Sequence, residues 1–131
     1  MVDLKEFHKV LLDILREFDR VCRDNDIQYS LAYGTMLGAI RHKGFIPWDD
    51  DVDVVMDRKN YNRFCEVCPK SLRDGYFFQS KDTEPLYPYN ISRLRKNNTA
   101  MIYPEWKDSG IHQGIYIDIY PVDRIPDNKV A

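Results

Sequence analysis

Four aspartates stand within five positions of this chain, at Asp49, Asp50, Asp51 and Asp53. The surrounding segment, residues 33–56, reads YGTMLGAIRHKGFIPWDDDVDVVM, so the acidic cluster borders directly on apolar residues. Carboxylates this close repel one another, and a buried carboxylate is costly unless a partner neutralises its charge. The cluster therefore constrains the fold strongly. It must stay in solvent or converge on something that binds it.

An alternating pattern over residues 51–56 predicts a β-strand with an apolar face. The other face carries Asp51 and Asp53, because side chains two positions apart on a strand point the same way. Their Cα atoms would be about 6.5–7 Å apart, close enough for both carboxylates to reach one cation. Asp50 points away from them, and Asp49 lies at the entrance to the strand.

A second alternating stretch, GIYIDIYP over residues 114–121, also predicts a strand. Isoleucines form one face, and Tyr116, Asp118 and Tyr120 form the other. Asp118 is therefore a carboxylate in the middle of a strand that otherwise reads as buried. Such a residue is either paired with a positive charge or bound to a metal ion.

Hydrophobic periodicity predicts the other elements of the chain. In order they are an amphipathic helix from Asp3 to about Arg23, a strand over 27–33, a helix over 36–42, a helix from Asp57 to Cys68 ended by Pro69, a strand over 76–78, and a hairpin of 89–95 with 99–103. With 131 residues, this mixture predicts one α/β (α+β) domain, a small mixed β-sheet flanked by helices.

Gly34 and Thr35 stand between the predicted strand over 27–33 and the helix that follows. Glycine permits a tight or positive-φ turn, and Thr35 is a residue that can cap the helix. A strand, a glycine turn and a helix N-terminus leave N–H groups and a positive dipole end where a phosphate can bind. The same pair also serves as a plain turn and cap, so both interpretations stay open.

Three interpretations compete for the aspartate cluster. A solvated acidic loop conflicts with the valines, which bring Asp53 close to the core. An EF-hand-like calcium loop fails, because its sixth position is Val54 instead of glycine and its twelfth is Asn60 instead of glutamate. A site for Mg²⁺ or Mn²⁺ in phosphoryl or nucleotidyl transfer needs hard oxygen ligands on a rigid element, and Asp51, Asp53 and Asp118 would supply them.

The run GTMLGAIRHKGFIPWDDDVDV resembles the signature of the LicD family, whose members include phosphocholine transferases and fukutin-type ribitol-phosphate transferases. RLRKNNTAM and GIYIDIYPVD also resemble family blocks, so the resemblance covers residues 4–123. It implies the nucleotidyltransferase (polymerase β-like) fold, which is recognised by a Gly-Ser or Gly-Thr turn, an Asp-x-Asp pair and a later acidic residue. The matching positions here are Gly34-Thr35, Asp51-x-Asp53 and Asp118.

The resemblance implies that Asp51 and Asp53 hold Mg²⁺ or Mn²⁺, and that Asp118 completes the site and acts as a general base. Gly34 and Thr35 would contact the phosphates of the donor. The implied reaction moves phosphocholine, or a related substituted phosphate, from a CDP-linked donor such as CDP-choline to a hydroxyl of a cell-surface glycan such as teichoic acid or lipopolysaccharide. The alternatives are a nucleotidyltransferase acting on a sugar phosphate or another small acceptor, and an inactive nucleotide- or glycan-binding module.

Basic and aromatic residues near the motif have two interpretations each. Arg41 and Lys43 suit a phosphate or an anionic acceptor, or they belong to a solvated helix end. Arg93 and Arg95 share a strand face, where they would clamp a diphosphate or pair with the surplus aspartates. Trp48 would stack on a base or enclose a choline cation, or it is a packing residue.

Composition limits the partners of the chain. A net charge of −2 gives no general attraction to nucleic acid or to an anionic membrane. No apolar run reaches the length of a membrane span and no signal-peptide pattern is present, so we expect a cytoplasmic protein, with peripheral association at the inner face of the membrane as its membrane contact. Family members usually continue into a helical C-terminal part, so the resemblance implies a domain cut short at its C-terminus or a minimal member.

Overall fold

A five-stranded mixed sheet and three helices make up the described part of the chain, residues 4–44, 51–100 and 110–123 of this computed structural model. The elements are α1 (Leu4–Asp24), β1 (Ser30–Leu31), α2 (Tyr33–Arg41), β2 (Asp53–Asp57), α3 (Arg58–Ser71), β3 (Tyr76–Gln79), β4 (Ser92–Lys96) and β5 (Tyr116–Val122). This confirms the predicted α+β class. None of these helices has the length and apolar character needed to cross a bilayer.

The strands lie in the order β1-β2-β5-β4-β3. Among the described strands, β2 and β5 form the only parallel pair, and the other neighbours are antiparallel. Both sides of β4 are occupied, by β3 and by β5, so no edge remains for the predicted hairpin with residues 99–103. That prediction is wrong for residues 99 and 100, and residues 101–103 lie outside the described part.

The hydrophobic core lies between one face of the sheet and the helices α1 and α3. The predicted apolar stripe of α1 is buried there, through Phe7, Leu11, Ile14, Phe18 and Val21. The sheet side of the core is formed by Val54, Met56, Phe78, Leu94, Ile117 and Ile119. Full burial of a side chain of this kind stabilises the fold by about 1.5–3 kcal/mol. Because strand side chains alternate, the residues between these ones face the opposite side of the sheet.

The short strand β1 gives way to α2 earlier than the sequence predicted. Ser30–Leu31 is the extent of the strand, and the helix begins at Tyr33 instead of Met36. Tyr33 adopts a left-handed φ of +52°, which turns the chain sharply out of the sheet and into the helix. This conformation costs a non-glycine residue about 1–3 kcal/mol, and strain of this kind concentrates at functional sites.

Glu17 is a buried carboxylate that joins α1 to the end of α3. Its side chain is 2% exposed and accepts hydrogen bonds from Arg20 at 2.8 and 2.9 Å and from the backbone N–H of Arg73 at 2.8 Å. Burial acts to raise the pKa of Glu17, but the Arg20 and Arg73 donors outweigh it and hold that pKa below its usual value. Glu17 is therefore an ionised anchor between the two helices.

Arg20, the partner of Glu17, also contacts the C-terminal end of α3. The helix runs through Pro69 to Ser71, so the prediction that Pro69 ends it is wrong. Proline removes one backbone donor and crowds the carbonyl four residues earlier. Pro69 lies in the last turn, where Arg20 donates to the carbonyl of Ser71 at 2.6 Å and satisfies a terminal acceptor from outside the helix.

We expect Glu17→Gln to lower the free energy of unfolding by about 1–3 kcal/mol, because it weakens the charge-assisted hydrogen bonds of a buried carboxylate. Glu6 provides a matched control on the same helix, since it pairs with Lys9 at 3.0 Å but is 67% exposed. Glu6→Gln should change the free energy by less than about 0.5 kcal/mol. Urea denaturation measures both, and equal effects would contradict an anchoring role for Glu17.

Candidate active site

A row of polar side chains crosses the sheet on the face opposite the core. The register aligns Asp53 of β2 with Asp118 of β5, Asp118 with Arg93 of β4, and Arg93 with Gln79 of β3. Residues aligned in this way on neighbouring strands point to the same face and lie about 4.8 Å apart. The fold therefore brings together two acidic residues that are 65 positions apart in the chain, as the resemblance implied.

Asp53 and Asp118 are both buried, at 6% and 9% exposure. Asp118 accepts a hydrogen bond from Nε of Arg93 at 2.8 Å, and this is a partly buried ion pair. Burial raises the pKa of Asp118, and the positive charges of Arg93 and Arg95 oppose that shift only in part. Asp118 is thus a more basic carboxylate than one at the surface.

Asp51 is placed differently from the sequence prediction. β2 begins at Asp53, and Asp51 is exposed two residues before the strand. Over the described ranges, no three carboxylate, histidine or cysteine side chains are grouped so as to hold a metal ion. The donor set nevertheless fits a hard divalent cation, because Asp53 and Asp118 are adjacent carboxylates on rigid strands. Metal binding by Asp51, Asp53 and Asp118 stays a prediction.

The Gly34-Thr35 pair is tied directly to Asp53. The hydroxyl of Thr35 accepts a hydrogen bond from the backbone N–H of Asp53 at 2.8 Å, and the N–H of Ala32 donates to the Asp53 carbonyl at 3.0 Å. The N-cap residue of α2 is Ala32, whose side chain makes no capping hydrogen bond. The prediction that Thr35 caps the helix is therefore wrong, because its hydroxyl binds β2 instead.

Two tyrosines flank this end of the sheet. Tyr33 is 68% exposed, and its ring meets that of Tyr120 edge to face with centroids 5.7 Å apart. Burial, together with the nearby charges of Asp118 and Asp53, raises the pKa of Tyr120 to about 12. The Tyr120 phenol is therefore a neutral group beside the two carboxylates at physiological pH.

Arg95 is enclosed, although it shares a strand face with Arg93. It is 3% exposed, and it donates to Oε1 of Gln79 at 2.7 Å and to the carbonyl of Gly114 at 2.5 Å. Burial and the neighbouring Arg93 lower the pKa of Arg95 to about 10, so it remains a cation at pH 7. Its hydrogen bonds hold β3, β4 and the segment before β5 together. A joint clamp of both arginines on a diphosphate stays a prediction.

His112 fixes the segment that leads into β5. Its Nδ1 accepts from the N–H of Gly114 at 3.0 Å, so its Nε2 carries a proton and donates it to Oδ1 of Asn97 at 2.8 Å. Burial and the charge of Arg95 lower the pKa of His112, which favours this neutral form. Its ring stacks on Phe77 with centroids 4.9 Å apart. These contacts hold in place the segment that precedes β5, the strand that carries Asp118.

Arg41 and Lys43 lie at the opposite end of α2 from Thr35. Arg41 and Lys43 are exposed at the C-terminal end of α2, and Arg41 is about 9 Å along the helix axis from Thr35. This placement favours the solvated helix end over a phosphate contact, and their binding role stays a prediction. Trp48 lies outside the described residues, as do Asp49 and Asp50.

Sequence reasoning missed the aromatic surroundings of Arg93. The guanidinium carbon Cζ lies 4.1, 4.8 and 6.0 Å from the ring centroids of Tyr116, Tyr89 and Tyr87. Tyr116 was predicted on the Asp118 face but without a role. Tyr87 belongs to a proline-containing segment without periodicity, and Tyr89 begins the strand predicted over residues 89–95, so the sequence pattern pointed to neither as a neighbour of Arg93.

We expect Thr35→Val to destabilise the protein by about 1–2 kcal/mol, because it leaves the Asp53 N–H without an acceptor. Thr35→Ser keeps the hydroxyl and should lose less than half of that. Urea denaturation gives the energies, and hydrogen exchange of the Asp53 amide should accelerate in the valine variant alone. An amide equally protected in both variants would show that the Thr35 hydroxyl is not its partner.

Comparison with known proteins identifies the family. The family model described as "LicD/FKTN/FKRP, nucleotidyltransferase domain" matches residues 26–130. The lipopolysaccharide cholinephosphotransferase LicD of Haemophilus influenzae is 36% identical over 125 residues, which are 95% of this chain and 46% of that protein. An uncharacterized protein of Rickettsia typhi is 29% identical over 92% of this chain and 36% of its own length.

A more distant relative is mannosyltransferase regulator 4 of Saccharomyces cerevisiae, 27% identical over 89% of this chain and 10% of the yeast protein. The chain thus spans less than half the length of the curated relatives it matches. The family model covers most of the chain and includes every carboxylate of the predicted triad. This chain belongs to the LicD family.

Proposed function

We propose that this chain carries the transfer site of a cholinephosphotransferase, which moves phosphocholine from a CDP-linked donor to a hydroxyl of a cell-surface glycan. The observation that carries the proposal is the alignment of Asp53 with Asp118 on adjacent strands. Two buried carboxylates side by side repel each other, and carboxylates gathered in this way are characteristic of functional sites. The Haemophilus relative, named a lipopolysaccharide cholinephosphotransferase, supports the substrate class.

The start of α2 is suited to the phosphates of the donor. The first N–H groups of a helix lack partners within the helix, and here the N-cap residue, Ala32, makes no side-chain hydrogen bond to them. They carry the positive end of the helix dipole, which attracts phosphate. The Thr35–Asp53 hydrogen bond holds this helix end against the strand that bears the first carboxylate. Donor phosphates bound by Gly34 and Thr35 would therefore lie beside Asp53.

In the proposed reaction, the oxygen of the acceptor hydroxyl forms a bond to the phosphorus that bears choline. The bond from that phosphorus to the bridging oxygen breaks, and CMP leaves with the bond electrons. The hydroxyl proton passes to the carboxylate of Asp118, whose burial makes it a better base than a surface aspartate. Arg93, already within hydrogen-bond distance of Asp118, is placed to donate to the phosphate oxygens.

Asp53 and Asp118, with Asp51 from the segment before β2, are the residues that would hold Mg²⁺ or Mn²⁺. A bound divalent cation supplies charge stabilisation for the phosphate oxygens and the leaving group. Asp51 is the exposed member of the three and precedes the strand that carries Asp53. The other two already share a register position.

Mg²⁺ or Mn²⁺ together with CDP-choline should raise the melting temperature of the protein, because a ligand at 100 times its Kd stabilises the folded state by about 2.7 kcal/mol. Asp53→Asn should abolish this stabilisation. Asp118→Asn should lower the release of CMP by about 10²–10⁴-fold, the usual range for loss of a catalytic base. Thermal shift and a CMP assay measure the two effects.

Asp123→Asn is the control for these variants, because Asp123 follows β5 and pairs with Arg58 at the surface, away from the carboxylate pair. It should keep both the stabilisation and the turnover. A wild-type protein that shows no metal- or nucleotide-dependent stabilisation, or an Asp53→Asn variant that responds like wild type, would contradict the proposal.

The description of the family model as a nucleotidyltransferase domain favours one second candidate, the transfer of a nucleotide to a sugar phosphate or another small acceptor. A donor screen separates the two. CMP release from CDP-choline supports phosphocholine transfer, whereas pyrophosphate release from CTP supports nucleotide transfer. Binding of either donor without turnover, across a panel of glycan acceptors, would support an inactive binding module.

A further inference from the structure

Arg93 stands in a box of three tyrosines, which we define as Tyr87, Tyr89 and Tyr116. Its guanidinium carbon is 4.1 Å from the ring centroid of Tyr116 and 4.8 Å from that of Tyr89. Tyr87 closes a further side at 6.0 Å, and its ring meets that of Tyr89 edge to face with centroids 5.5 Å apart. All three distances are within the range in which an aromatic ring attracts a cation. The tyrosine box is therefore a cation-binding site that is filled by the protein's own side chain.

Two features show that the box offers more than packing for Arg93. Tyr87 is only 1% exposed, and its buried hydroxyl finds no hydrogen-bond partner among the described residues. A buried polar group of this kind is costly and is uncommon in native structures. The box also opens to the surface, because Tyr89 is 38% exposed. A group from solution can therefore enter it along Tyr89.

The box lies beside the carboxylate that the proposed reaction uses. Arg93 is held on one side by the rings and on the other by Asp118, at 2.8 Å from Nε to Oδ1. A choline cation is separated from its phosphorus by an ethylene unit and one oxygen. A cationic head group in the box would thus carry its phosphate toward Asp118.

We propose that the tyrosine box binds the quaternary ammonium of the donor head group, and that Arg93 is an internal placeholder which leaves the box when the donor binds. This inference rests on the proposed function for the identity of the substrate. A quaternary ammonium has no N–H to donate, so rings that offer only their electron-rich faces suit it well. Guanidinium fits the same rings, which is why Arg93 can occupy the box.

The exchange also gives Arg93 a task after it leaves. A guanidinium carries five N–H donors in a fixed fork, and while Arg93 is in the box one of them, Nε–H, donates to Asp118. Swung out of the box, Arg93 can bind two phosphate oxygens at once, as arginine does at many phosphate sites. It also leaves Oδ1 of Asp118 open to another partner. Head-group binding and exposure of the base are thereby coupled.

Tetramethylammonium is the probe for the box, because it carries the head-group charge without phosphate or nucleotide. NMR titration should show its methyl resonance moving upfield, since protons over an aromatic face are shielded. Arg93→Ala removes the placeholder and should tighten binding about tenfold or more, because the competent state no longer competes with an internal cation. Neopentyl alcohol, similar in shape but uncharged, should show no comparable binding.

Variants of Tyr89 supply a second test that does not depend on the folding of Arg93→Ala, because Tyr89 is on the rim. Tyr89→Phe keeps the ring and should bind tetramethylammonium within about twofold of wild type. Tyr89→Leu keeps similar bulk without the ring and should weaken binding by about two- to fivefold. In turnover, Tyr89→Leu should raise KM for CDP-choline and leave KM for CDP-glycerol, which has a neutral head group, unchanged.

The outcomes separate this inference from the proposed function. Transfer from CDP-choline with no tetramethylammonium binding, in wild type or in Arg93→Ala, would overturn the box and leave the function standing. Equal effects of Tyr89→Phe and Tyr89→Leu would also overturn it, because they would show that the ring face is not used. Binding that follows the predicted order in a protein without transferase activity would support the box and overturn the function.

Discussion

The parallel pairing of β2 with β5 places Asp53 opposite Asp118, and most of the polar structure follows from that register. On the other face of the same strands, Val54 stands opposite Ile119 in the core. A slip of one residue would turn the valine out and an aspartate in, so the hydrophobic core locks the carboxylates in place. The core thereby stabilises an arrangement that repulsion between the two acids would otherwise oppose. Packing on one face of the sheet holds the chemistry on the other.

The two arginines of β4 both lie near the Asp53–Asp118 pair, but they are held by different contacts. Arg95 is enclosed and bonded to Gln79 and Gly114, so its charge is part of the frame. Arg93 is held by a single ion pair and by aromatic faces. Another anion can take the place of Asp118 as its partner, and another cation can take the place of Arg93 on the rings. In the proposed reaction, Arg95 therefore stays in place and Arg93 moves. The sequence pattern treats the two residues as equivalent, because they are two positions apart on one strand.

The strands, and the face of the sheet to which each side chain points, could be predicted because alternation is a local property of the sequence. The positions of Val54 and Asp118 were correct for that reason. Register is not local, so the alignment of Asp53 with Asp118 followed from the resemblance and not from spacing. The function of Thr35 was missed because a hydroxyl at a helix start can accept a hydrogen bond from an N–H of its own helix or from an N–H of a neighbouring strand, and only tertiary structure decides between these donors. Pro69 was misjudged because the donor that satisfies the end of α3, Arg20, comes from another helix.

The N-cap residue of α2 is Ala32, whose side chain has no oxygen with which to cap the helix, and Thr35 lies inside the first turn. A threonine that capped the helix would satisfy one of its free N–H groups and stabilise it by about 1 kcal/mol. Here the Thr35 hydroxyl accepts from the Asp53 N–H instead, which holds the helix end against the strand that carries Asp53. The left-handed Tyr33 adds a further cost at the same place. The helix N-terminus, a strained residue and two buried acids thus lie close together, and the proposed donor phosphate with its cation would interact with the helix end and the acids at once.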